Sequence, residues 1–112
     1  MATTLTRGVV EFSLNSAVGD GTAGVALGLP KTEGSLGHTI AWQVVYATGT
    51  SVSAASTSLQ VSMDNSNWAT IDTNTNVAGC YRIVTPVIGR FIRAYHTSDT
   101  GATTISVSIL IQ

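Results

Sequence analysis

The sequence predicts an all-β, single-domain antiparallel sandwich, jelly-roll-like, of seven to eight strands. Three observations carry that reading. Apolar residues alternate with polar ones over short stretches, the period of a strand with one buried face. Clusters of Asp, Asn, Ser, Gly and Pro break those stretches, as turns do. No segment holds a 3.6-residue apolar period, and helix formers are scarce, with one lysine and two glutamates in 112 residues. Many short strands separated by turn clusters pack as two facing sheets.

The first strand is Val9 to Leu14. Asn15 to Gly24 reads as a flexible connection punctuated by Gly-Asp-Gly, and Val25 to Leu29 as a short strand stopped by Pro30. Residues 31–37 read as loop. His38 to Tyr46 is a strand with Ile40, Trp42, Val44 and Tyr46 on one face, rich in β-branched and aromatic residues. The tract 47–58 is low in complexity and reads as a loop, or as a loop with a thin strand around Ser51 to Ala54. A hairpin follows: Leu59, Val61 and Met63 alternate with polar residues, Asp64-Asn65-Ser66-Asn67 turns the chain, and Trp68 with Ile71 resumes the apolar pattern. After a polar connection at Asp72 to Ala78 come a strand at Gly79 to Thr85, ended by Pro86, and another at Arg90 to Thr97. The latter places Ile92 and Ala94 opposite Phe91, Arg93 and Tyr95. Ser98-Asp-Thr-Gly101 reads as the turn into the last strand, Thr103 to Ile111, where Ile105, Val107, Ile109 and Ile111 alternate with hydroxyl residues. Trp42 and Trp68 are the expected core anchors.

Charged residues make up 10% of the chain, against about 25% in a typical domain. Hydrophobic residues reach 44%, the reverse of a disordered composition. The surface must therefore be largely neutral hydroxyl and methyl, which costs little to desolvate against a partner. Membership of an assembly is the first expectation. A formal net charge of −1 does not advertise a nucleic-acid binder, despite Arg82, Arg90 and Arg93 lying close in sequence. The single cysteine, Cys80, admits no intrachain disulfide and reads as a buried structural thiol. Met1 to Arg7 lacks a charged n-region and an apolar h-region, and no apolar run approaches the ~20 residues of a membrane helix. The expected place of synthesis is a reducing cytoplasm, with no membrane partner.

No catalytic, cofactor-binding or metal-binding residues are expected. Asp99-Thr-Gly-Ala102 spells an aspartic-protease signature, but a single strand follows it where that chemistry needs most of a fold and a second aspartate. Asp72-Thr-Asn-Thr-Asn76 opens like a calcium loop, then fails at Val77 and Ile83, where glycine and glutamate are required. His38 and His96 sit in no metal or nucleophile motif, there is no Gly-x-Ser-x-Gly elbow, and Lys31 lacks a phosphate-binding glycine frame. Asp64, Asn65, Ser66 and Asn67 remain as a contact loop.

From Thr39 onward, about two-thirds of the chain, the order of motifs resembles that of small virion proteins of tailed bacteriophages. Thr39-Ile-Ala-Trp42, the tract 47–58 and the hairpin from Leu59 through Ser62 and Asp64 to Trp68 carry the likeness. Arg90-Phe-Ile-Arg-Ala94 and the terminal strand complete it. The family commonly has Asp-Gly in the hairpin where this chain has Asp64-Asn65. The resemblance implies a structural role: a head decoration (cement) protein, trimeric about a local three-fold axis, that binds the major capsid protein or other virion subunits and acts on the capsid surface. The alternative is a carbohydrate-binding adhesion module at a tail tip or fibre, using an aromatic such as Tyr95 or Trp68. Residues 1–37 are expected as an N-terminal strand with a glycine-rich arm and loops in the same domain, and 38–112 as the sandwich core.

Overall fold

A computed structural model describes residues 3–17, 20–30, 37–47, 52–100 and 104–112. Among the described residues there are ten strands: β1 (Thr3–Thr4), β2 (Val10–Ala17), β3 (Thr22–Ala23), β4 (Leu27–Gly28), β5 (His38–Ala47), β6 (Ala54–Ser62), β7 (Trp68–Asn74), β8 (Cys80–Val87), β9 (Phe91–Thr100) and β10 (Thr104–Ile111). Seven of them span seven to ten residues, and three are two-residue pairings. They form a β-sandwich of two sheets, β1-β4-β9-β6-β7 with β3 also on β9, and β2-β10-β5-β8.

The pairing is nested. The β6–β7 hairpin lies inside the β5–β8 pair, which lies inside the pairing of β3 and β4 with β9, which lies inside β2–β10. Rolling that long double ribbon lays β10 beside β5 and β9 beside β6, closing both sheets in jelly-roll order.

Alternation decides what each strand buries. Ile105, Val107, Ile109 and Ile111 of β10 and Ile40, Trp42 and Val44 of β5 are at most 2% exposed, facing Leu59, Ile92 and Ala94 of the other sheet. Leu5, Leu14, Leu27 and Leu29 join the same core, so the described residues before 38 are woven into both sheets and do not stand off as an arm. Gly19 and the linker from Gly34 fall largely on residues outside the described ones. Ser13 of β2 ties the sheets together: its hydroxyl donates to the Val25 carbonyl at 2.9 Å and accepts from the Ala94 amide of β9 at 2.8 Å. That close approach requires Gly24, where a Cβ would lie 2.7 Å from the Ser13 carbonyl oxygen.

Several expected boundaries move, each for a physical reason. β6 begins at Ala54 within the low-complexity tract, because Ala54, Ala55 and Ser56 pair with Thr100, Asp99 and Ser98 of β9. For the same reason β9 runs through Thr100, so Ser98 and Asp99 are strand and not turn; residues 101–103 lie outside the described ones. The polar connection starts later than Asp72, because β7 extends to Asn74. Pro86 does not end β8, which continues to Val87 across a register shift against β5. An edge strand with an irregular ladder tolerates the missing amide of proline. β6 ends at Ser62, which leaves Met63 beyond the ladder and 69% exposed.

Trp42 and Trp68 part company. Trp42 is 1% exposed, and its indole Nε1 donates to Asp72 Oδ2 across the sandwich at 2.8 Å. Trp68 is no core anchor; it is half-buried at the start of edge strand β7. The cause is a bulge. Leu59 pairs with Asp72 but Gln60 pairs with Thr70, so Ile71 is an extra residue that reverses the alternation. Thr70 and Trp68 are thereby sent to the outer face, where Gln60 Nε2 reaches Thr70 Oγ1 and the Arg93 guanidinium lies 4.2 Å over the Trp68 ring.

Two cross-strand rows on the outer face of the four-stranded sheet span all four strands. Val10 pairs with Leu110, Leu110 with Ala41 and Ala41 with Ile83; Phe12 pairs with Ser108, Ser108 with Gln43 and Gln43 with Tyr81. No acid, base or histidine stands in either row.

Candidate contact site

The hairpin tip is held by one carboxylate. Asp64 Oδ1 accepts from the amides of Asn67 (2.8 Å) and Ser66 (2.9 Å) and from the Ser62 hydroxyl (3.0 Å), while Oδ2 accepts from the Asn67 side-chain amide at 2.7 Å. The Ser62 hydroxyl accepts in turn from the amides of Asp64 and Asn65. Asn65 takes the left-handed φ of 63° that the turn needs and that asparagine tolerates. The Asn67 and Ser66 amides, then the Asn67 side chain and the Ser62 hydroxyl, hold the Asp64 carboxyl far below the usual carboxylate range. The sequence placed Asp64, Asn65, Ser66 and Asn67 in one loop; the structure shows the aspartate spent on holding that loop's shape.

The fixed loop displays apolar surface. Met63 and Ile88, 69% and 64% exposed, meet Val61, Trp68 and Ala69 around an open hollow of about 230 Å³. Ile88 comes from the β8–β9 connection, pinned to the hairpin by the Arg90 amide donating to the Ser62 carbonyl at 2.9 Å. Because the loop is ordered before contact, little conformational entropy is lost on docking.

The sign of the Asp64 effect is definite. A depressed carboxyl contributes order that is fully present above its ordinary value of 3.8 and is lost as pH falls through the lower folded value. Protection factors of the Ser66 and Asn67 amides are therefore expected to persist at pH 3 in hydrogen exchange, and to collapse at neutral pH in Asp64→Ala. Loss of protection at the ordinary aspartate value would contradict the geometry.

A second polar assembly is internal, and sequence reasoning missed it. His96, 0% exposed, meets Asp99 Oδ2 through Nε2 at 2.8 Å and Thr57 Oγ1 through Nδ1 at 3.0 Å. Thr57 Oγ1 lies 2.8 Å from the Tyr46 hydroxyl, which accepts from Asn74 Nδ2 at 3.2 Å. One assignment satisfies every member: Asn74 donates to Tyr46, Tyr46 to Thr57, Thr57 to His96 Nδ1, and His96 Nε2–H to Asp99. The Asp-His-Thr order is that of a hydrolase triad. Thr57 is completely buried, however, and its hydroxyl is engaged on both sides, out of reach of a substrate. A strand-wide separation of His96 from Thr57 hides this cluster from any linear motif.

Asp20 joins the outer end, accepting from the Asp99 amide at 3.2 Å. Asp20, His96 and Asp99 have ligand atoms within 4.8 Å of one another, the grouping of that kind found among the described residues. Asp72, the first residue of the calcium-like stretch, is occupied by Trp42, by Arg82 Nη1 at 3.0 Å and by the Thr73 amide. Asn74 and Asn76 of that stretch are used in local turns.

The arginines do not form one patch. Arg82 pairs with Asp72, Arg93 lies over Trp68 with Nε donating to Gln60, and Arg90 is exposed in the β8–β9 connection. Cys80 is half-buried, and burial pushes its thiol up. Gly79 beside it has a φ of 90° and a Cβ there would lie 2.4 Å from the Val44 carbonyl oxygen, so only glycine lets β8 start against β5.

No described helix is long and apolar enough to cross a membrane. Comparison with protein-family models, with curated proteins and with solved structures finds no match to this chain.

Proposed function

We propose that this protein is a structural, non-catalytic subunit of a large assembly, in the form the motif order implies: a bacteriophage decoration (cement) protein that binds the major capsid protein lattice on the virion surface. The observation that carries this reading is the apolar Met63–Ile88 tip, displayed on a loop already fixed by Asp64. A rigid apolar knob suits repeated docking on a lattice, where many copies make weak single contacts sufficient. The internal consumption of His96, Asp99 and Asp72 in hydrogen bonds is the arrangement of a scaffold.

The test is cosedimentation with shells of the major capsid protein from the same phage. Met63→Asp combined with Ile88→Asp is expected to weaken retention by more than about tenfold, as loss of a hot spot does, with unchanged circular dichroism. Undiminished binding would refute the tip. One observation favours the carbohydrate-binding alternative: Trp68, Arg93 and Tyr95 share the outer face of the larger sheet, with Arg93 between the two rings at 4.2 and 5.7 Å. Glycan-array binding abolished by Trp68→Ala, with no affinity for shells, would select it.

A further inference from the structure

We propose that the outer face of the four-stranded sheet β2-β10-β5-β8 is covered by a second copy of this chain, packed face to face about a two-fold axis. The face is unusual for a surface left in water. Val10, Phe12, Tyr81 and Ile83 are 56%, 49%, 65% and 60% exposed, and all four stand in the two rows that cross the sheet. Apolar patches beyond a few hundred Å² are rare on monomers. Four strands about 4.8 Å apart and eight residues long, at about 3.3 Å per residue, give a flat footprint of about 500 Å². Two such faces reach the ~1,000 Å² that a specific interface needs before side-chain relief is counted.

Three features select a copy of the chain over a foreign partner. The rows carry no acid, base or histidine, so the face opposes itself without repulsion. It equally lacks the charge pattern by which unlike partners are steered and discriminated. Homodimer interfaces are the more apolar class, as this face is. It is also self-complementary in relief: Ala41 floors a hollow of about 90 Å³ beside the projecting Tyr81 and Ile83, so knob and hole lie on one surface. A two-fold axis brings each knob to the other copy's hole, as an isologous contact requires. Twisted sheets stacked this way align within about 30° at about 10 Å. The contact is independent of what the Met63 tip binds, and an isologous pair stands in place of the three-fold arrangement expected from the resemblance.

Sedimentation equilibrium of the full chain tests it. The expected mass is twice 11.6 kDa. Ile83→Lys places a charge in both halves of the contact and is expected to raise the dissociation constant by more than about tenfold. Tyr81→Ser, which inserts no charge, does the same in smaller measure and guards against misfolding of the lysine variant. Met63→Asp leaves the dimer intact. A monomer at all concentrations, a trimer, or a dimer that neither face variant weakens would overturn the proposal, and none of these bears on binding by the tip.

Discussion

Trp42→Ala is expected to lose about 3–5 kcal/mol of stability, whereas Trp68→Ala loses about 1 kcal/mol. The two tryptophans look alike in the sequence, each beginning or continuing an apolar pattern. Trp42 is enclosed by the core that Ile40, Val44 and Ile109 also line, and its removal leaves a cavity that two sheets cannot close without breaking ladder bonds. Asp72 keeps Arg82 and the Thr73 amide after the loss, so the cost is mainly one of packing. Trp42→Phe retains most of the volume and forfeits the 2.8 Å bond to Asp72, for about 1–2 kcal/mol. Against a total stability of about 5–15 kcal/mol, the alanine variant stands near unfolding. Urea denaturation followed by circular dichroism separates the variants. Equal losses at Trp42 and Trp68 would contradict the bulge at Ile71 that sends Trp68 outward.

That bulge marks where the sequence stops being legible. The buried faces of β5, β9 and β10 could be read residue by residue, because Ile40, Trp42 and Val44, Ile92 and Ala94, and Ile105, Val107, Ile109 and Ile111 keep strict alternation in the sequence itself. β7 defeats the same reading, since one extra residue reverses every later side chain and leaves no mark in the residue types. β6 was readable from Leu59 but not from Ala54, because its first half lines the interior with Thr57, which packs against His96 through hydrogen bonds and not through apolar contact. The turn chemistry of Asp64 to Asn67 was plain; that the carboxylate is consumed by the turn shows only in the folded loop. The outer face of the smaller sheet did leave a trace. Val9-Val10, Val44-Val45 and Ile83-Val84 are apolar at consecutive positions, the sign of strands covered on both sides. Read as noise on an alternating pattern, they conceal the exposed apolar rows of Val10, Phe12, Tyr81 and Ile83.

Thr57→Val is expected to cost about 1–3 kcal/mol although it keeps the β-branched shape. The lost atom, Oγ1, is the link between the Tyr46 hydroxyl on one sheet and His96 Nδ1 on the other. In its absence Nδ1 is stranded in a site with no exposure, and a buried polar group without a partner carries its whole desolvation penalty. Tyr46 fares better, being partly exposed and still held by Asn74. Thr57→Ser keeps the hydroxyl and loses one methyl, for about 1 kcal/mol. The ordering of these two variants is the diagnostic, because a purely apolar interior would tolerate valine and penalise serine. A double-mutant cycle with Tyr46→Phe then measures the link directly: coupling of about 1 kcal/mol or more is expected for groups in one hydrogen-bonded chain. Additive losses, or a valine variant as stable as the parent in urea, would mean that His96 is held by Asp99 alone and that the two sheets meet here without a polar connection.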